Sequence, residues 1–313
     1  MMKAGNELMR QVREQLKLSQ EQMAEHLHVS QRTISRIETG KRSLGAFEYF
    51  SLMEMAGKPT EDLSPLFLES KELKDFITYK ELKGMLRDGR FSDIREILPA
   101  FEKDITSKQP FVIQFIAFVK IAVDEEMPHE EAIERLYEVL GMSVKNFDQN
   151  NIAKYRFTYN EVYILIAIAM RLEFMGRIDC AIDLHKGLIE SRGNALASNE
   201  DKAAIFPALM FNLSNLLGKS KRYKEALKYC KDAHEICIKY KNYRLVSCIL
   251  YNMACCYRFM GEEEQLYKTY LTRAYYSAYA VGDTEVLNII KKEAEKFGLS
   301  DLQFLNQDID KEC

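Results

Sequence analysis

A short segment near the start of the chain carries side chains that are suited to reading nucleic acid. Residues 30–40, SQRTISRIETG, repeat their apolar positions at helical spacing, with Ile34 and Ile37 on one face. The opposite face carries no carboxylate and consists of Gln31, Arg32, Ser35 and Arg36. Arginine suits guanine edges and phosphates and glutamine suits adenine edges, so this face fits the major groove of double-stranded DNA.

Residues that flank this segment extend the candidate DNA contacts. The predicted base contacts are Gln31, Arg32 and Arg36. The predicted phosphate contacts are Gln20, Lys41 and Arg42. The predicted DNA-binding set is completed by Ser30, Thr33 and Ser35. The whole chain has a formal net charge of −3, so DNA affinity has to come from this local patch rather than from bulk charge.

Two short helices joined by a tight turn are predicted to position this face. Ser19 and Ser30 are their N-cap candidates, because a serine hydroxyl accepts from the unpaired backbone N–H groups of a first turn. His28 lies in the turn, where a left-handed backbone suits glycine, so we expect some loss of local stability there. Further helices over residues 6–16 and 47–56 are expected to close a small core.

The segments LSQEQMAEHL and VSQRTISRIETGKR resemble the helix-turn-helix of the phage-repressor and XRE family of DNA-binding proteins. The resemblance covers roughly the first fifth of the chain and implies that the second helix of the motif enters DNA. It also implies that Glu38 pairs with Arg13 of the first helix. The residues themselves leave one alternative, a plain helical hairpin whose Arg and Gln side chains form a solvated face.

Composition indicates an all-α protein. The 313 residues are 47% hydrophobic, include 6 Pro and 14 Gly, and show little of the alternation that is typical of strands. Helix-breaking residues between 57 and 69 predict a boundary, which gives a helix-turn-helix domain over residues 1–66 and a second domain over residues 67–313. No apolar run is long enough to span a membrane and no signal-peptide core is evident, so we expect a cytoplasmic protein. The seven Cys lie within helical patterns, which favours reduced thiols.

The second domain is predicted to consist of helices in pairs that share an internal signature. The segments GRIDCAIDLHKGL, KRYKEALKYCKDA and GEEEQLYKTYLTRA resemble the tetratricopeptide repeat, and GRFSDIREIL is a weaker fourth copy. The equivalent packing positions are Ala181, Ala226 and Leu266. Their spacings of 45 and 40 residues exceed the ~34 of the strict repeat, so the helices or loops must be longer than the consensus.

Stacked helix pairs of this kind form a superhelix whose concave surface suits extended peptides. Asn212 and Asn252 fall at the same position of successive first helices, and Asn215 lies one turn beyond Asn212. An amide side chain donates and accepts at once, which suits the backbone of an extended ligand. The side chains predicted to surround these amides are Tyr163, Met170, Phe174, Phe211, Tyr251 and Arg258. The alternative is that the Asn side chains cap or bridge neighbouring helices.

No pattern in the sequence predicts a catalytic residue, a metal or a cofactor. His129 lacks the second His that a zinc-protease helix needs four residues later. Cys230, His234 and Cys237 share helical spacing, but no convincing fourth ligand accompanies them, and packing is the favoured interpretation. Without a glycine-rich phosphate loop or a nucleophile–base constellation, we predict that the protein is not an enzyme.

A helix-turn-helix domain followed by degenerate tetratricopeptide repeats resembles the RRNPP family, the peptide-responsive regulators of the Rgg, PlcR and PrgX kind. The resemblance implies a transcription regulator that binds a short linear signalling peptide in its repeats and reads a two-fold DNA operator as a homodimer. One alternative is a regulator whose helical domain serves only dimerisation or protein-partner binding. Another is an enzyme that acts on phosphorylated signalling proteins, which the intact segment Gln31-Arg32-Thr33 disfavours.

Overall fold

The structure of the chain, a computed structural model, describes residues 2–55, 70–87, 89–105, 110–193, 199–262 and 264–299. Every regular element within these ranges is a helix and none is a strand, which confirms the predicted all-α fold class. No helix in the described part of the chain is long and apolar enough to cross a membrane. The chain divides into two compact units, Met1–Ser198 and Asn199–Cys313.

Short helices form an N-terminal bundle within the first unit. They are α1 (Met2–Gln15), α2 (Gln20–His26), α3 (Gln31–Glu38) and α4 (Ala46–Met55). Their inward apolar side chains form one core, whose fully buried members include Met9, Met23, Ile34, Ile37 and Leu52. Burying a side chain of this size contributes about 1.5–3 kcal/mol, so the core holds α3 in a fixed orientation within the bundle.

Serine caps begin α2 and α3, as the sequence predicts. Ser19 and Gln22 form a reciprocal capping box, and the Ser30 hydroxyl accepts a hydrogen bond of 3.2 Å from the backbone N–H of Thr33. His28 has a φ of 53°, which confirms the expected left-handed turn between the two helices. These local features determine where α2 ends and α3 begins.

The predicted domain boundary at residues 57–69 lies outside the described residues, so the division into residues 1–66 and 67–313 stays a prediction. Beyond it, the first unit contains α5 (Ser70–Arg87), α6 (Phe91–Asp104), α7 (Pro110–Val123), α8 (His129–Gly141), a 3-10 helix (Gln149–Lys154), α9 (Tyr159–Phe174) and α10 (Ile178–Gly193). The predicted pairs α5–α6, α7–α8 and α9–α10 pack together.

The 3-10 helix does not figure among the elements predicted from the sequence, because so short a polar segment leaves no periodic pattern. It packs against α10, where Gly187 allows Ile152 to approach closely. A Cβ atom at Gly187 would lie 2.6 Å from the Cβ of Ile152, so this position requires glycine.

The second unit contains α11 (Asn199–Lys219), α12 (Tyr223–Lys239), α13 (Val246–Phe259), α14 (Glu264–Ala280) and α15 (Thr284–Lys296). The pairs α11–α12 and α13–α14 pack as predicted, and α15 packs on α14.

One type of turn closes the hairpins α5–α6, α9–α10, α11–α12 and α13–α14. Its left-handed residue is Gly89, Gly176, Lys221 or Gly261. In each turn, the backbone N–H groups of this residue and the next donate to carbonyls of the helix that ends there, which is a Schellman arrangement. The predicted repeats, including the weaker fourth copy, therefore share a local structure.

The repeat register is confirmed for the first helices of the second unit. Residues 211–222 and 251–262 share the same order of buried, half-buried and exposed positions. Asn212 and Asn252 therefore occupy equivalent positions on α11 and α13.

The register predicted for α14 is wrong by one residue. Ala181 and Ala226 are fully buried, but Leu266 is 37% exposed, and Tyr267 fills the buried position instead. The physical reason is that the buried face of α14 begins one residue later after its turn than the buried faces of α10 and α12.

Candidate nucleic-acid interface and ligand-binding faces

The polar face of α3 is open to solvent, while the apolar face is buried. Its exposed residues are Ser30 at the cap, Gln31, Arg32 and Arg36, and its half-buried residues are Thr33 and Ser35. Ile34 and Ile37 have no exposed surface, so rotation of the helix would remove them from the core. The arrangement presents two guanidinium groups and one amide in a fixed direction.

Glu38, on the last turn of α3, is bonded inside the bundle. Arg13 Nε lies 2.6 Å from Glu38 Oε1 and Arg13 Nη2 lies 3.2 Å from Oε2, which confirms the predicted pair. Gln20 Nε2 donates to Oε2 over 2.8 Å. Burial raises the pKa of Glu38, but the hydrogen bonds from Arg13 and Gln20 outweigh burial and leave the pKa below its ordinary value.

This network has two consequences for the interface. The Glu38 carboxylate is ionised but compensated, so it does not oppose an approaching phosphate as a free carboxylate on α3 would. Arg10 Nη2 also donates to the Glu38 backbone carbonyl over 3.1 Å, so α1 holds the end of α3 through two arginines.

The three residues predicted to contact phosphate differ in their contacts within the protein. Arg42 Nη2 lies 2.8 Å from Glu48 Oε1, a buried carboxylate, so part of its charge is compensated. The Gln20 amide nitrogen donates to Glu38. Lys41 is exposed and has no ion pair with any residue that the structure describes. Contact of these residues with phosphate stays a prediction.

The predicted ligand residues of the first unit lie on α9. Met170 and Phe174 are both exposed and lie one turn apart. The Phe174 ring is 69% exposed and stacks on the His129 ring with centroids 5.4 Å apart. Tyr163 is half-buried and stacks on Phe118 at 6.5 Å. The end of α9 therefore exposes an apolar strip that a ligand side chain can contact.

The amides of the second unit bridge two helices. Asn252 Nδ2 on α13 donates to Ser214 Oγ over 3.1 Å and also to Asn215 Oδ1, both on α11. Helix bridging, the alternative left open by the sequence, is therefore present for this pair. Asn212 is half-buried and has no side-chain hydrogen bond with the residues that the structure describes. Its amide groups are available to another partner.

The remaining predicted ligand residues of this unit are partly buried. Phe211 and Tyr251 are half-buried, and burial raises the pKa of Tyr251, which keeps its hydroxyl protonated. The Arg258 guanidinium lies 3.6 Å from the Phe297 ring centroid and 5.0 Å from that of Tyr267. The predicted ligand residues are thus divided between α9 of one unit and α11 and α13 of the other.

Two cysteines of α12 are packed in the core of the second unit. Cys230 and Cys237 have no exposed surface, and burial raises the pKa of Cys237 to about 11. None of the cysteines that the structure describes forms a disulfide. Within the same ranges there is no group of three or more His, Cys, Asp or Glu side chains able to hold a metal.

Two residues absent from the sequence-based site meet inside the first unit. His26 Nδ1, at the end of α2, lies 3.6 Å from Glu161 Oε1 in the first turn of α9. The pattern Thr158-x-x-Glu161 is a capping box that the sequence displays. Contact with His26 has no local signal, because the two residues are far apart along the chain.

Two segments of the chain match family models. Residues 9–63 match the helix-turn-helix model, and residues 206–265 match the tetratricopeptide repeat model. The first segment contains every predicted DNA contact, and the second contains the predicted ligand residues of α11 and α13. A comparison with curated proteins finds no match.

Solved structures are similar over nearly the whole chain. PlcR of Bacillus thuringiensis, in complex with the peptide PapR7 and DNA, has a TM-score of 0.58 and 20% identity, over 96% of this chain and 99% of that chain. The apo form of PlcR has a TM-score of 0.55 and 18% identity, over 92% and 97%. ComR of Streptococcus vestibularis, in complex with its signaling peptide XIP, has a TM-score of 0.50 and 15% identity, over 93% and 97%.

At these identities the likeness establishes the fold. The chain is a helix-turn-helix bundle followed by helical pairs of the tetratricopeptide type, as predicted. It shares this architecture with PlcR along almost its full length.

Proposed function

We propose that the protein is a DNA-binding transcription regulator controlled by a short signalling peptide that its repeats bind. The observation that carries this proposal is the face of α3. Gln31, Arg32 and Arg36 are exposed on a helix whose own carboxylate is compensated by Arg13. A face of this composition suits phosphates and base edges.

The two ligands are proposed from the architecture as a whole. The PlcR structure of the same fold holds both a peptide and DNA, and the ComR structure holds a signaling peptide. The present chain supplies an exposed apolar strip on α9 and an unbonded amide at Asn212, features that suit an extended peptide. A peptide of five to eight residues is about 17–26 Å long when extended, comparable with two or three helix pairs.

We further propose that the protein acts as a homodimer on a two-fold DNA site. One recognition helix of 8 residues reads too few base pairs to select a site in a genome. Two copies related by a two-fold axis read two half-sites, about one helical turn or a multiple of it apart. The peptide controls DNA affinity by binding one arrangement of the repeats more tightly than another.

A second candidate function rests on one observation. Because Asn252 bonds to Ser214 and Asn215, part of the predicted amide row already serves helix packing. A repeat domain that only dimerises or binds a protein partner would need no further role for these amides. The peptide complexes of PlcR and ComR support the first proposal over this one. In either case the protein would act in the cytoplasm and without a catalytic residue or cofactor.

Selection from a random library of double-stranded DNA tests the DNA-binding part of the proposal. Full-length protein is mixed with the library, and the retained DNA is sequenced. We expect a two-fold symmetric motif from the wild type and a motif that loses one base preference from Arg32→Ala. Enrichment of no motif by folded wild-type protein would overturn the proposal.

A further inference from the structure

A buried acid–base contact joins the helix-turn-helix bundle to α9. Glu161 has no exposed surface, and His26 is 8% exposed. His26 Nδ1 lies 3.6 Å from Glu161 Oε1, slightly beyond hydrogen-bond distance, and neither atom has a hydrogen-bond partner among the described residues. A carboxylate with no access to water needs a polar group nearby, because burial of an unpaired charge is costly.

The position of the Glu161 carboxylate is fixed from the repeat side. Its Oε2 accepts from the backbone N–H of Thr158 over 2.6 Å, so the group is part of the N-terminal capping box of α9. The Ser143 hydroxyl, just after α8, helps to lower the pKa of this carboxylate. Gln114 on α7 donates to Ser143 Oγ over 2.8 Å. The first turn of α9 itself therefore fixes the carboxylate, through Thr158.

The combined interactions keep this carboxylate ionised. Burial raises the pKa of Glu161, and the contacts with His26, Ser143 and Thr158 more than offset burial and leave the pKa below its ordinary value. The negative charge is thus a feature of the site, and the bundle places the His26 ring beside it.

The turn of the motif makes a second contact at the same place. His28 is half-buried; burial lowers its pKa, and the backbone of Met142, just after α8, acts in the opposite direction. His28 also has the positive φ that glycine adopts at lower cost. The strained residue of the turn is therefore one of the residues that contact the repeat helices.

We propose that this contact docks the helix-turn-helix on the corner of α8 and α9, with Glu161 as the positioning residue. This inference rests on the proposed DNA-binding function. In a dimer, a docked motif fixes the direction in which each α3 points, and hence the spacing between half-sites that the dimer accepts. Because Met170 and Phe174 lie on the same helix as Glu161, a ligand that displaces α9 also displaces the motif.

The decisive variant is Glu161→Gln in the full-length protein. Glutamine keeps the capping box, since its side-chain oxygen still accepts from the Thr158 N–H, but it removes the negative charge that faces His26. Glu134→Gln, a change at an exposed position of α8, is the matched control. The double variant His26→Gln/Glu161→Gln replaces both members of the pair.

The first readout is hydrogen exchange at the amides of residues 26–29. We expect exchange to rise about tenfold or more in Glu161→Gln, to stay unchanged in Glu134→Gln, and to rise no further in the double variant, because both residues act through one contact. Exchange within about twofold of the wild type in Glu161→Gln would overturn the proposal. A double variant much faster than Glu161→Gln would also overturn it, because the two residues would then act independently.

The second readout is the half-site spacing selected from random double-stranded DNA. We expect one spacing from the wild type and several from Glu161→Gln, with the same half-site sequence. A single unchanged spacing would overturn the inference. If the wild type selects no motif, the proposed function fails instead, and hydrogen exchange still decides whether the pair docks the motif.

If Glu161→Gln does not fold, His28→Gly tests the proposal instead. Glycine suits the φ of 53° and so relieves the strained turn, but it removes the side chain that contacts α8. Docking predicts faster exchange at residues 26–29 and a wider range of spacings. A merely local role for His28 predicts slower exchange, and that result would overturn the proposal.

Discussion

The two candidate binding faces use their polar side chains in opposite ways. On α3, the carboxylate of Glu38 is bonded to Arg13, while Arg32 is left without an ion pair among the described residues. On α11 and α13, the amides bond to each other through Asn252 and Asn215. On α3, Arg32 stays free because Arg13 compensates the nearby Glu38 carboxylate. On α11 and α13, the amides are held in hydrogen bonds between the two helices.

The difference follows from the range of the forces involved. Charges act over the Debye length of about 8 Å at physiological ionic strength, so free arginines attract DNA before contact. An amide acts only at hydrogen-bond distance, and when buried without a partner it is destabilising. Bonded amides between helices are therefore compatible with a ligand face, provided that some groups, such as that of Asn212, remain unbonded.

The largest expected effect is that of Glu38→Ala on folding. Arg13 would remain mostly buried without its partner, so we expect a loss of about 3–5 kcal/mol in the free energy of unfolding. Urea unfolding of the full-length protein measures this loss. The double variant Arg13→Met/Glu38→Ala should lose less, because it leaves no uncompensated charge. Equal losses in the two variants would show that the pair is not what stabilises α3.

The pH dependence of stability sharpens the same point. The pKa of Glu38 is lower in the folded state than its ordinary value of 4.5, so its stabilising contribution is complete above that value. It is lost as pH falls through the lower folded-state pKa. Wild type should therefore lose stability more steeply than Glu38→Ala below about pH 4.5. Parallel curves of the free energy of unfolding against pH for the two proteins would contradict a stabilising Arg13–Glu38 pair.

A smaller effect is expected for Arg32→Ala on DNA binding. It should cost about 1–3 kcal/mol on the selected site and relax one base position. Lys41→Ala is the matched comparison, since a phosphate contact weakens binding to all sequences and lowers the salt slope by about 1. Gel shifts at several salt concentrations distinguish the two. If Arg32→Ala weakens binding to all DNA sequences equally, Arg32 contacts phosphate rather than a base.

The smallest effects are expected for Asn252→Ala and Asn212→Ala, which should differ in the property that they change. Asn252→Ala should cost about 1 kcal/mol in the free energy of unfolding, because it breaks bonds between α11 and α13. Asn212→Ala should change stability by less than about 0.5 kcal/mol. It should instead weaken binding of a heptapeptide selected from a random library, measured by calorimetry. Equal peptide affinities of wild type and Asn212→Ala would remove Asn212 from the ligand face.

Local patterns in the sequence predicted the features that depend on local physics. The caps at Ser19 and Ser30, the left-handed His28 and the pairing of helices follow from helical periodicity and capping chemistry. The Arg13–Glu38 pair came from a resemblance, because spacing alone does not indicate which charges meet.

Features that depend on distant parts of the chain were missed. The buried face of α14 begins one residue later than its repeat register indicates, so Tyr267 rather than Leu266 is buried. The bond between Asn252 and Asn215 depends on how closely two helices pack, so the sequence left helix bridging as one of two alternatives for these amides. The contact between His26 and Glu161 joins α2 to α9, and neither segment contains a sign of the other.

The central claim is that peptide binding to the repeats changes DNA binding by α3. The most direct measurement is the affinity of the full-length protein for its selected two-fold DNA site, with and without a saturating peptide selected from a random library. The account predicts a change of about 5- to 150-fold, the usual range of coupling between two sites. Equal DNA affinity in the presence and absence of bound peptide would contradict it.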